Sequence, residues 1–133
     1  MPFWGLIVTS LGFTIPSFLA FCHKKQRMGK MLSLLSGTSV LYHGTHKLFF
    51  KIIDLTYAHS VGCFYVVNSI GRCFIYHRVY DFVICTGTLS SVLVFYKGVC
   101  NKKVNHHMQD YYHMVFHVIS QTMMCLHAID KKK

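Results

Sequence analysis

His113 and His117 lie one helical turn apart, and two imidazoles at i and i+4 stand about 6 Å apart along one helix face, close enough to share a metal ion. A third imidazole, His43, closes the stretch Ser39-Val-Leu-Tyr-His43, and Asp54 follows after ten intervening residues. Zinc in a catalytic site takes three protein ligands, often imidazoles, and keeps a fourth position for water. His43, His113 and His117 supply that donor set. Ser39, one turn before His43, is placed to donate to the water or to a substrate oxygen. Asp54 is placed to orient the water, take its proton and return it to a leaving group. Ten His in 133 residues produce about one His-x-x-x-His by chance, so neither pair means much alone. The conjunction carries the signal: each pair occurs once, in separate segments, beside one of only four acids.

The segments that must position these groups are apolar. The chain is 53% hydrophobic and 15% aromatic with two prolines, and its mean hydropathy is positive. This composition predicts an all-α fold, a single polytopic transmembrane helical domain over residues 1–133 with about five spans. The spans are placed at Phe3 to Phe21, Met31 to Phe50, Ile52 to Ile70, Val79 to Tyr96 and Tyr111 to Ile129. Each is near the 20 residues that cross about 30 Å of hydrocarbon. A soluble helical bundle is the alternative, and the scarcity of acids argues against it. Short connections put consecutive helices side by side and antiparallel. Whether five spans close a pocket alone or pair with a second copy in a homo-oligomer is left open.

A net charge of +10 raises the question of nucleic acid, but the basic residues cluster where spans end, as snorkelling and cytoplasmic retention require. With the N-terminus outside, nine basic residues fall on the cytoplasmic side against five on the other, which favours an N-out, C-in topology. No nucleic-acid partner is expected. The first span has no basic residue before it and four after it, the pattern of a retained anchor rather than a cleaved signal. The expected location is an endomembrane or the plasma membrane. Cys22, Cys63, Cys73, Cys85, Cys100 and Cys125 show no C-x-x-C spacing and read as small buried hydrophobes.

This layout assigns depth. Span two ends outside with His43 in its outer half, span three starts there with Asp54, and span five begins outside with His113 and His117. An odd number of spans between Asp54 and His113 would separate them across the bilayer; the number is even. Helical phase agrees, since Ser36, Ser39, His43 and His46 form one stripe and His113, His117, Ser120 and His127 another. Ionisable groups inside spans face the bundle interior and mark sites.

Other polar residues have structural explanations. His59, His77 and His127 read as hydrogen-bonded structural residues, whereas His46 is a substitute for His43 as ligand. Arg78 and Asp81 are spaced as an i, i+3 ion pair, and Asp110 as the cap of span five. Trp4 and the tyrosines near span ends form an interfacial belt.

Ser39-x-x-x-His43, then Asp54, then His113-x-x-x-His117 resembles the superfamily of intramembrane zinc hydrolases that includes alkaline ceramidases and progestin and adiponectin receptors. The short gap before Asp54 is more similar to the ceramidase branch. The resemblance rests on five positions between residues 39 and 117. It implies zinc held by His43, His113 and His117, with Ser39 and Asp54 assisting a water that attacks a lipid amide such as ceramide. The family usually has seven spans and an acidic calcium-binding stretch near the ceramidase N-terminus; this chain shows five spans and Met1-Pro-Phe-Trp-Gly5, a reduced version of that fold.

Three functions follow as expectations: a zinc-dependent lipid hydrolase, a non-enzymatic membrane receptor or scaffold with a structural metal, and an intramembrane haem protein. Haem wants one axial His from each of two helices. The same-helix pair His113 and His117 suits an ion better.

Overall fold

Pro16 divides the first apolar segment. Without an N–H, and with its ring against the carbonyl four residues back, it cannot continue the helix that arrives from Trp4. In the computed structural model, which describes residues 4–131, α1 (Trp4–Leu11) therefore stops, Gly12 and Phe13 make a turn, and α2 (Thr14–Cys22) resumes along the same rod. The expected start of the first span at Phe3 and the basic residues Lys132 and Lys133 lie outside the described residues. α3 (Gln26–Thr45), α4 (Leu48–Tyr76), α5 (Val79–Val94) and α6 (His106–Ile129) follow, and α5 widens into a π turn over Phe95–Val99. No strand occurs among the described residues, so the fold is all-helical.

Two connections, α2–α3 and α4–α5, are shorter than the sequence predicts, and the α3–α4 turn is as short as expected. Lys24, His46 and His77 adopt left-handed backbone (φ 60°, 52° and 49°) and reverse the chain within two or three residues. Span two was expected to reach Phe50, yet α3 ends at Thr45 because the His46 N–H turns back to the Tyr42 carbonyl at 2.8 Å. α4 runs on to Tyr76 rather than stopping at Ile70, through Gly71, which no side chain crowds. α6 begins at His106, five residues before Tyr111, and its cap is the Asn105 side chain, which accepts from the His107 N–H. Asp110 sits inside the helix, so its assignment as cap is corrected.

Leu32 and Leu35 of α3, Val61 and Tyr65 of α4, Met124 of α6 and Phe13 form the apolar centre. Beside them, buried positions hold many polar side chains, including Ser17, Ser36, Ser69, Asp81 and His127. Large apolar residues face outward instead: Trp4, Phe18, Leu48, Phe74 and Val79 are each exposed by two-thirds or more. Polar contacts knit the helices. Ser17 donates to the Gly29 carbonyl at 2.7 Å, Ser36 to the Ser10 carbonyl at 3.0 Å, and Gln121 donates to the Thr9 carbonyl beside the Gly12 turn. A Cβ at Gly12 would push the Gln121 amide away from this contact.

Two segments, Trp4–Cys22 and Val79–Val99, are long and apolar enough to cross a membrane. The other three helical rods, α3, α4 and α6, have the length but carry more polar residues. All six cysteines are free; Cys73 alone is buried, and Cys22, Cys63 and Cys100 are exposed, which corrects their reading as buried hydrophobes.

Candidate metal centre

α3 delivers His43 in its last turn and α6 delivers His113 and His117 in its first half, so the close of one helix meets the opening of the other. The inward stripe of α6 continues through Ser120 and Met124, the three- and four-residue rhythm that keeps one face turned to the core. Ring centroids lie 5.2 Å apart for His43 and His113, 6.1 Å for His43 and His117, and 4.6 Å for His113 and His117. One ring nitrogen from each of the three falls within 4.8 Å of the other two. Zinc–nitrogen bonds of about 2.0–2.1 Å span most of that gap, and small side-chain rotations close the rest.

Two observations bear on whether an ion fits. The Nε2 of His43 is buried and has no hydrogen-bond partner among the described residues. Such a nitrogen is costly unless something binds it. The Nδ1 of His117 stands 3.0 Å from the Thr9 hydroxyl, and that hydroxyl donates its one hydrogen to the Gly5 carbonyl at 2.9 Å. With that hydrogen on the Gly5 carbonyl, the Thr9 oxygen matches the His117 tautomer that carries its hydrogen on Nδ1 and leaves Nε2 bare. Fixing a ligand's tautomer through its second nitrogen is the usual outer-shell device of metal sites. Phe13, Phe95 and Phe116 pack against the rings at 5.3 to 6.1 Å and hold them in place. Three imidazoles without a thiolate suit zinc with one open position. A haem is disfavoured: His113 occupies the space that a macrocycle between His43 and His117 would need.

Asp54, just after the tight α3–α4 turn, lines the same cavity as the three imidazoles. It is buried, and its Oδ1 accepts from the Ser39 hydroxyl at 2.6 Å and from Thr38 at 3.2 Å. The hydrogen of Ser39 is thus spent on the carboxylate, which makes Ser39 an orienting group for Asp54 instead of a donor to water.

All five sequence-selected residues, Ser39, His43, Asp54, His113 and His117, line one cavity of about 890 Å³. Its remaining wall is mainly apolar. It opens where α4 stands away from α6; further along, the two helices rejoin through Ser69 and His127 at 3.1 Å and an Arg72–Asp130 ion pair. His46 is exposed at the helix end and is not in the imidazole cluster, so it does not replace His43. His127 is a buried, hydrogen-bonded residue as expected, while His59 is exposed and bonds its own helix at the Leu55 carbonyl. Thr9 went unrecognised in the sequence, where nothing links position 9 to position 117. No family model matches this chain, and no curated protein or solved structure shows significant similarity to it.

Proposed function

We propose that the chain is a multi-pass membrane hydrolase that uses zinc, held by His43, His113 and His117, to cleave an amide in a long-chain lipid of the ceramide type. The carrying observation is the convergence of three imidazoles and one oriented carboxylate in an apolar cavity. Zinc bound there would polarise the scissile carbonyl and acidify a water.

The protein's own groups supply the remainder. Ser39 and Thr38 hold Oδ1 of Asp54, so Oδ2 is the oxygen that takes a proton from water and passes it to the departing amine. Thr9 keeps the His117 ring oriented. Val61, Val66, Phe95 and Met124 give the alkyl chains an apolar bed and exclude water from the carboxylate. One copy of the chain supplies every residue used, so a homo-oligomer is not required.

A bilayer setting for all five helical rods is supported by the inverted distribution of side chains, with polar residues inside and large apolar ones outside. The two most apolar rods pass on composition alone, and the other three carry the polar groups that face the cavity. In this arrangement the imidazoles lie near the non-cytoplasmic surface. On this reading the chain is a reduced member of the ceramidase-like branch of intramembrane zinc hydrolases, a proposal supported by the placement of Ser39, His43, Asp54, His113 and His117 on one cavity.

Metal analysis of the detergent-purified chain, run beside ceramide hydrolysis, tests the proposal. About one zinc per chain is expected, lost in His43→Ala and in His117→Ala together with turnover. Zinc retained in both variants would end the assignment of the ligands. Bound zinc with no lipid turnover would favour a receptor or scaffold with a structural metal.

A further inference from the structure

The seam between α4 and α5 is closed at one end and open at the other. Toward the α4–α5 turn, Arg72 Nε donates to the Asp81 carboxylate at 2.9 Å, the Cys73 thiol donates to the Asp81 carbonyl at 3.2 Å, and the Ser69 and Thr88 hydroxyls meet at 3.4 Å. From that last pair to the imidazole end, no hydrogen bond joins the two helices among the described residues, and the His59 and Phe95 rings face each other with centroids 6.2 Å apart. Leu55, His59, Cys63 and Val67 recur at four-residue steps on α4, so they share one edge of it. All four line the cavity and all four are exposed, Val67 by 70%. Opposite them, Val92 and the exposed Tyr96 of α5 line the cavity too. Side chains that border a cavity and are also exposed stand at an opening. Cys63 and Val67 continue into a second hollow of about 340 Å³, which they share with the exposed Phe64 and Asn68. Gly62 adds room: it lines the cavity, and a Cβ there would meet nothing within 4 Å.

The rim of this slot is mainly apolar, and its one imidazole, His59, is already bonded through Nδ1 to the Leu55 carbonyl at 2.7 Å. An apolar slot that runs from an interior cavity to an outward helix edge suits a flexible hydrocarbon chain, which gains by every methylene it removes from water or loose packing. We infer that the alkyl chain of a bilayer lipid enters between α4 and α5 and lies in this slot, passing Cys63 and Val67 on its way out to the hydrocarbon. Cys63 follows Asp54 by nine residues, about 14 Å along the helix, so only a long chain reaches it. This deepens the hydrolase reading by naming the route of access, and rests on it only for what the inner end of the chain carries.

Photolabelling tests this on the full chain in phosphatidylcholine liposomes, with a stearamide that carries a diazirine at mid-chain and peptide mass spectrometry to locate the adducts. Adducts are expected at Cys63–Val67 and Val92–Tyr96. Unlabelled stearamide at ten times its Kd should reduce them about tenfold, while hexanamide, too short to reach Cys63, should leave them unchanged. Phe18 and Phe74, exposed on other faces, serve as controls, since adducts formed there from the surrounding bilayer should resist both competitors. Gly62→Trp fills the slot without an initial clash and should weaken stearamide binding by about tenfold to a hundredfold, with zinc content unchanged. Slot adducts that are absent, that compete no better than those at Phe18, or that persist undiminished in Gly62→Trp overturn the inference. Competition on the unaltered chain decides the matter even if the variant does not fold. Competed slot adducts in a chain that holds no zinc support the slot and remove the hydrolase reading; zinc and hydrolysis without competed adducts do the reverse.

Discussion

Where α4 finishes and α5 begins, Asp81 is fully buried between two guanidiniums, with Arg72 Nε at 2.9 Å and Arg78 Nε at 2.6 Å. Arg72 and Arg78 also pair with Asp130 beyond α6, so two cations and two anions balance. The Arg78 guanidinium lies over the Tyr76 ring at 5.2 Å, and Lys25 donates to the His127 and Asp130 carbonyls at the close of α6. Burial lowers the Lys25 pKa, and the Asp130 carboxylate opposes that shift. At the other end, three imidazoles crowd together beside a cavity, and the Nε2 of His43 has no partner. One end is saturated and holds helices together; the other keeps unspent binding capacity. Polar groups left unsatisfied inside an otherwise well-paired bundle mark where a ligand belongs.

The sharpest way to break this contrast is at the unsaturated end. Asp54→Asn preserves the carbonyl oxygen that Ser39 and Thr38 donate to, so the local fold should survive and zinc should stay. Turnover should fall by roughly a hundredfold to ten-thousandfold, the usual worth of a general base. Unchanged hydrolysis would remove Asp54 from the chemistry. At the saturated end, Asp81→Ala leaves two guanidiniums to share the Asp130 carboxylate alone and should cost about 3 kcal/mol of unfolding free energy. Denaturant titration in micelles measures the loss, and zinc per folded chain should not change. A metal site emptied by Asp81→Ala would show that the two ends are coupled. The smallest effect is expected from Thr9→Val, which deletes the acceptor for His117 Nδ1–H at nearly constant volume. Zinc affinity should drop by about tenfold to a hundredfold, with Thr9→Ser close to wild type in a chelator competition. Equal affinity in both would leave Thr9 a packing residue only.

How much of this was legible in the sequence depended on the range of the interaction. His43, His113 and His117 meet, with Asp54 on the wall of the same cavity, because successive helices reverse at short turns, and counting reversals needs no knowledge of packing. The Arg78–Asp81 pair is local, and the structure has it at 2.6 Å. Helix ends were harder, because Lys24, His46 and His77 take the left-handed conformations that glycine normally signals. Asp110 was a plausible cap by charge, yet Asn105, nearer the turn, takes that place. Ser39 was found but its partner was not: whether its hydroxyl faces a water or a carboxylate depends on how closely α4 folds back. The Thr9 bond to His117 and the open seam between α4 and α5 depend on three-dimensional packing that spacing cannot reveal.

The tie between α1 and α6 has a consequence for synthesis. Thr9 meets His117 across 108 positions, Gln121 reaches back across 112 to the Thr9 carbonyl, and Lys25 spans 102 to His127. Closing such long loops is slow and comes late. The first helix made can therefore complete its packing only when the last one emerges, and until then the growing chain holds His43 alone of the three proposed ligands.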